Sequence, residues 1–478
     1  MLLDQRIRTG ESDPLNERET MHRQRRLFRN AAASGMLVTT ALVTTPAHAA
    51  AQDHPTFARD VAPIIQQNCQ ICHQPGSIAP MSLTSYEAVK RYAPRIREKV
   101  AARVMPPWHI DRSVGIQEFK NDRGLADEEL ETLVTWLDGD MPFGDEADMP
   151  PPPVFPDGSE WQYEAQFGPP DLVVRSEPYT LAAQTQDKWF RPETPTGLTE
   201  ERWVKAIEIR PSWPDGRRIV HHTLAYLIQD EDPDEMTAET AALSTSSRAM
   251  GGPGLFMEWA VGKVGEIFPD GAGKLMLPGS KIRWEVHMHA IGQEVKDSYV
   301  ELGIWFYPRD RIPQNRTRLA FYNATGDDLD IPPGEIAVTQ DFHVVRWPAR
   351  LENYQPHMHM RGKAMAMEAI YPDGRREILS QVNNFQWQWH INYIYADHAA
   401  PLLPAGTTLV FTAWHDNTPE NPNNPDHTQW VGWGDRTVDE MAHAWVDVTY
   451  LTEEQYEAEV AKREAMATDS ETREGTNR

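Results

Sequence analysis

Apolar residues recur at helical spacing in the first part of the chain. Phe57, Val61, Ile64 and Ile65 lie three and four residues apart, and Leu130, Leu133, Val134 and Leu137 do the same later. Gly139 follows the second set as a helix stop. The pattern predicts a small helical domain over 53–140. From 161 to 452 the period shortens to two. Phe385, Trp387, Trp389, Ile391, Tyr393 and Tyr395 alternate with Gln386, Gln388, His390 and Asn392, which predicts a strand with one aromatic face. Pro372-Asp373-Gly374 and Pro214-Asp215-Gly216 read as hairpin turns. Residues 230–262 are acidic and small and read as a surface excursion. The predicted fold class is a multidomain chain: a small all-α domain, then two antiparallel β-sandwiches.

Breaks in the pattern set the boundaries. Met149-Pro150-Pro151-Pro152-Pro153 cannot continue a helix or a central strand, so 141–160 is expected to be a stiff linker. The sandwiches then occupy 161–312 and 313–452, and 453–478 is a charged tail with one short helix and a disordered end. At the other end, 1–50 reads as a signal peptide with its n-region. Arg23, Arg25, Arg26 and Arg29 precede the mildly apolar stretch 31–43, and Ala47-His48-Ala49 is an A-x-A cleavage site. Arg25-Arg26-Leu27-Phe28 is similar to a twin-arginine signal. A periplasmic or secreted protein is expected. No stretch reaches the ~18–20 consecutive apolar residues of a membrane span.

The formal charge of -25 over 478 residues argues against a nucleic-acid partner, whose phosphates need a basic surface. Both cysteines of the chain lie in Cys69-Gln70-Ile71-Cys72-His73, so no disulfide is expected. In an exported protein, C-x-x-C-H is a site for covalent attachment of one haem c. The thiols add across the vinyl groups and His73 is placed to bind the iron. A zinc ribbon would need a second C-x-x-C, and none exists. The helical domain is therefore expected to be a cytochrome c domain. Its second axial ligand is assigned to Met105, in Val104-Met105-Pro106-Pro107-Trp108, with Met81 and His109 as competitors.

The histidines of the strand region cluster in pairs. Arg283, Glu285, His287 and His289 share one face of a strand, and Ile282, Trp284 and Val286 the other. His357 and His359 have the same two-residue spacing, which makes a bidentate metal clip. His221 and His222 are adjacent and serve one metal only where the strand ends or twists. Any one pair alone reads as a surface or hydrogen-bonded feature; three pairs together point to metal. Imidazoles suit copper, zinc, iron and nickel, and a thioether adds a preference for Cu(I). A haem in the same chain supplies single electrons, which copper uses and zinc does not. His390, His415 and His443 carry weaker claims: a polar strand face, a satisfied core position and an outer neighbour of Met441.

Four segments then carry a resemblance. Val220-His221-His222-Thr223, Trp284-Glu285-Val286-His287-Met288-His289, Pro356-His357-Met358-His359-Met360-Arg361-Gly362 and Thr437-Val438-Asp439-Glu440-Met441 follow one another as in the type II copper, ascorbate-dependent monooxygenases. That family includes peptidylglycine α-hydroxylating monooxygenase and dopamine β-monooxygenase. The resemblance covers 215–450, and with the haem segment it is similar to a bacterial group that fuses both. It implies two jelly-roll domains with two copper ions. One copper would be held by His221, His222 and His287, with His289 as an alternative to His287. The other would be held by His357, His359 and Met441, where O2 reacts. It implies hydroxylation of a C–H bond of a small-molecule or peptide substrate, with electrons from an ascorbate-like reductant or another redox protein. The haem would relay electrons to the three-histidine copper. The family's disulfides and substrate-anchoring residues have no counterpart here, so substrate does not transfer. Two other readings stand beside this one: a non-catalytic electron-transfer or copper-handling protein, and a carbohydrate- or peptide-binding sandwich.

Overall fold

The helical periodicity becomes three α-helices, Ala62–Asn68, Tyr86–Ala101 and Asp127–Asp138, preceded by a π-helical turn Phe57–Val61. The computed structural model describes residues 54–75, 79, 81–155, 159–230, 254–260, 263–325 and 328–476. The Ser85 hydroxyl accepts the N–H of Ala88 and caps the second helix. The Glu129 carboxylate accepts the N–H of Ala126 and anchors the start of the third. Phe57, Val61, Ile65, Val89, Leu133 and Trp136 close a core between them. The signal-peptide expectation for 1–50 lies outside the described residues.

The stretch between the second and third helices does not stay in this cluster. Trp108 and Ile110 are buried among Tyr354, Leu379, Val382 and Tyr393 of the strand region. Ile110 forms a β-bridge with Val382 and Phe119 with Tyr395. The N–H of Lys120 donates to Ile394 O at 2.8 Å, and that of Asp111 to Gln381 O at 2.7 Å.

The strand region is almost wholly antiparallel. Strand Val220–Ile228 lies between Lys281–Met288 and Leu255–Ala260. In the second half, Thr408–Asp416 lies between Ile336–Val344 and Gly362–Ile370. One eleven-stranded sheet runs through both halves. The crossing is the parallel pairing of Ala272–Met276 with Asn315–Asn323, which in turn pairs with Ala442–Tyr450. Buried charges lock the same seam. Lys274 Nζ lies 2.8 Å from Glu266 and 3.0 Å from Asp447, and Lys263 Nζ lies 2.8 Å from Glu266.

These observations correct the predicted fold class. The chain does not divide into an all-α cytochrome c domain and two separate sandwich domains. Residues His54–Arg478 form one compact, mostly β unit. The physical reason is that Trp108, Ile110 and Phe119 bury their side chains in the strand region and not among the helices. A shared sheet and a buried ion network then fuse the two halves of the strand region.

Smaller expectations also shift. Pro372-Asp373-Gly374 turns the chain between Gly362–Ile370 and Arg376–Val382, with Gly374 at φ 86°. Pro214-Asp215-Gly216 instead opens a short helix, Asp215–Ile219. The strands on either side belong to different sheets, so the connection must cross between them. Of the strand expected over 385–395, Tyr393–Ile394 is a strand and 385–392 is a loop. Phe385, His390 and Asn392 are buried there while Gln388 is exposed, so the residues do not sort into an inner aromatic face and an outer polar one. Strand Leu255–Ala260, inside the expected surface excursion, contributes Phe256, Met257 and Trp259 to the core, while 231–253 lie outside the described residues. The tail is one helix, Glu453–Thr476, with Arg463 donating to Ala400 O at 2.6 Å and Asp397 O at 3.0 Å. No described helix is long and apolar enough to cross a membrane.

Candidate functional site

The first histidine group is made by a bulge. His222 is paired with His287 across Val220–Ile228 and Lys281–Met288, but the next partner of Met288 is Val220. His221 is therefore the extra residue, which frees its ring from strict alternation. His221 Nδ1 lies 3.2 Å from His222 Nδ1. Nitrogens of His221, His222 and His287 all fall within 4.8 Å of one another. Trp189 stacks on His287 at 4.3 Å between ring centroids. Asp187 fixes His287 through Nε2 at 3.1 Å, and the buried Nδ1 of His287 has no partner. His289 lies past the end of the strand, bonds Asp187 through Nδ1 at 2.9 Å, and has a side chain 71% exposed. Of the two alternatives, His287 is the one that joins His221 and His222.

The second group is assembled by a buried carboxylate. Glu440 accepts the backbone N–H of His359 at 2.9 Å and of Arg361 at 2.5 Å. Burial pushes its carboxyl up to about 8. The Arg361 guanidinium, itself buried, donates to Asn417 Oδ1 at 3.0 Å and Val438 O at 2.9 Å. These bonds tie the end of strand Asn353–Met358 to the loop that carries Met441. His359 Nδ1 donates to Asp439 O at 3.1 Å, which leaves Nε2 as its acceptor nitrogen.

His357, His359 and Met441 line the same small cavity, of about 40 Å³, as His221, His222 and His287. The sequence treats the two groups as separate sites; the structure brings them to one place. The cavity has room for ions or waters and none for an organic molecule. His390 also lines it and is the residue that the sequence misplaced. A histidine between Trp387, Trp389 and Asn392 gives no spacing signal for metal. His415 is fully buried with Nε2 3.2 Å from Met441 O. His443, opposite His357 in register, packs on Phe321 at 4.3 Å. Burial, with neighbouring imidazoles adding to it, holds His222, His357 and His390 well below the ordinary histidine value. Each ring is neutral near pH 7 and keeps a lone pair for a metal.

A second, larger cavity of about 910 Å³ lies beside the first. Its volume falls in the range of about 300–1,000 Å³ usual for cofactor sites. Cys69, Cys72, His73, Met81 and Met105 line it. Burial pushes the free Cys69 thiol up to about 12. His73 Nδ1 lies 3.1 Å from Met81 O, so its proton sits there and Nε2 is left as a ligand atom. His109 is not among the lining residues; it is buried with its backbone N–H donating to Tyr393 Oη at 3.2 Å, and burial lowers its ring to about 4. The same cavity is lined by Asp187, His221, His287 and His289.

No known family matches the chain, and no curated protein matches it. Similar solved structures include virus capsid proteins. The infectious bursal disease virus VP2 subviral particle is 12% identical, covering 62% of this chain and 74% of that one, at a TM-score of 0.18. The major capsid protein P2 from bacteriophage PM2 is 11% identical, covering 58% and 96%, at a TM-score of 0.25. The T=1 Penaeus vannamei nodavirus particle is 10% identical, covering 59% and 98%, at a TM-score of 0.14. Likeness at this level says nothing of what this chain does.

Proposed function

We propose that this chain is an exported haem c- and copper-dependent monooxygenase that hydroxylates a C–H bond with O2, the haem passing electrons to the copper. The observation that carries the reading is one shared wall: His221 and His287 line both the cavity around Cys69, Cys72, His73 and Met105 and the histidine pocket. Electron donor and acceptor sites that share side chains need no docking step.

The residues fit both groups. Two half-buried free thiols beside a histidine with a free Nε2 suit a covalent haem. Neutral, crowded imidazoles with an unpartnered Nδ1 on His287, and a thioether at Met441, suit copper in its Cu(I) and Cu(II) states. When bound, the haem supplies single electrons and the copper supplies one-electron chemistry toward O2. The protein's share is positional. Asp187 and Trp189 orient His287, Glu440 and Asp439 orient His359, and Trp189, Trp387 and Trp445 wall the pocket. The reductant is ascorbate-like or a redox protein, and the substrate is a small molecule or peptide.

Replacing Met441 with Ala tests the reading. O2 consumption driven by reductant and substrate should be lost while the haem still reduces; unchanged turnover rejects the oxygen site. One observation favours a second reading, a non-catalytic electron-transfer or copper-handling protein: the pocket of about 40 Å³ holds no organic substrate. Copper-loaded protein that accepts electrons but consumes no O2 with any C–H donor would select it.

A further inference from the structure

We infer that His390 is a copper ligand, paired with His357 in the second histidine group. The inference rests on the copper reading above. His390 is buried on the loop 385–392 and belongs to none of the four segments that suggest copper. Its Nδ1 lies 3.3 Å from His357 Nδ1. Two imidazole nitrogens bound at about 2.0 Å to a tetrahedral metal stand about 3.3 Å apart. The His221 and His222 pair has the same bite, 3.2 Å. The structure thus holds two facing Nδ1 pairs of equal geometry, one in each half. His359 lines the same pocket with Nε2 as its acceptor nitrogen, since its Nδ1 is taken by Asp439 O.

His390 also joins the two groups. Its ring centroid lies 4.5 Å from that of His357, 5.6 Å from His221 and 5.7 Å from His222. Its backbone is fixed from both halves: Gln355 Nε2 donates to His390 O at 3.3 Å and to Glu258 Oε2 at 2.5 Å. With Nδ1 facing His357 and its ring beside His221 and His222, His390 links the two groups into one contiguous cluster.

The test uses full-length protein matured with its haem. Wild type, His390→Gln and His390→Ala are titrated with Cu(II) against a competing chelator, with the Cu(II) EPR spectrum recorded at each loading. The haem absorption spectrum reports folding, and Gln keeps the loop filled if Ala does not. The expected result is two coppers in wild type. In the variants, one copper binds at least tenfold more weakly with an altered nitrogen pattern, and the other is unchanged. Two coppers of wild-type affinity and spectrum in a folded variant overturn the role of His390 and leave the copper reading standing. No copper in the wild type overturns both.

Discussion

The carboxylate of Glu440 holds the backbone N–H of His359 at 2.9 Å, one residue before Met441 in the chain. One buried group therefore sets the position of two members of the second metal group. Glu440→Ala leaves the N–H groups of His359 and Arg361 without partners, at a cost of about 1–3 kcal/mol each. The expected outcome is a lower melting temperature and weaker copper binding at the methionine site, with the His221 group retained. Chelator competition followed by EPR checks it; equal weakening at both groups would mean a general loss of fold.

Asp187 does the corresponding work in the first half by bonding His287 Nε2. Loss of such a hydrogen-bonding neighbour of a ligand typically costs about 10–100-fold in metal affinity. Asp187→Ala is expected to fall in that range, while His289→Ala, at an exposed position, changes affinity little. The paired titrations also ask which histidine is the ligand. A larger effect from His289→Ala would reverse the assignment to His287.

The seam between the halves predicts one unfolding transition. Lys274 of strand Ala272–Met276 neutralises Glu266 and Asp447, the latter on strand Ala442–Tyr450. Lys274→Met leaves Asp447 in the interior without its cation, while Glu266 keeps Lys263, a loss of about 3–5 kcal/mol. Urea titration read by tryptophan fluorescence and by far-UV circular dichroism should give coincident, destabilised curves. Separate transitions for the two halves would contradict the shared sheet.

Glu208 sets a pH dependence away from the metal ligands. It is buried, and burial raises its carboxyl to about 7 from the ordinary 4.5. The folded protein therefore binds this proton more tightly than the unfolded chain. The stability it contributes is complete below about 4.5 and is lost as pH rises through about 7. Glu208→Gln cannot ionise, so its stability relative to wild type should be higher at pH 8 than at pH 5 by on the order of 1–3 kcal/mol. Urea titrations at the two pH values measure it; an equal difference from wild type at both would exclude ionisation as the cause.

How much of this was legible in the sequence depends on the residue. The alternation Ile282, Trp284, Val286 against Arg283, Glu285, His287 reports burial directly, and the strand follows it. His221 and His222 raised the right question, because adjacent strand residues diverge unless the strand is irregular, and the bulge answers it. The loop 385–392 misled because the alternation there does not follow burial: Phe385, His390 and Asn392 are buried, Trp387 and Trp389 half-buried and Gln388 exposed. The fusion of the helical segment with the strand region was hidden for another reason. Trp108, Ile110 and Phe119 are apolar, and periodicity says that they are buried but not against which half. Convergence of the two histidine groups is a long-range property of the same kind.

The most direct measurement is electron transfer inside the holoprotein. Haem-loaded protein, with and without copper, is given a substoichiometric pulse of electrons anaerobically, and the haem α band and the Cu(II) EPR signal are followed. The account predicts that the haem reduces first and then reoxidises as the Cu(II) signal falls, in the copper-loaded protein alone. A haem that stays reduced beside an unchanged Cu(II) signal would contradict it.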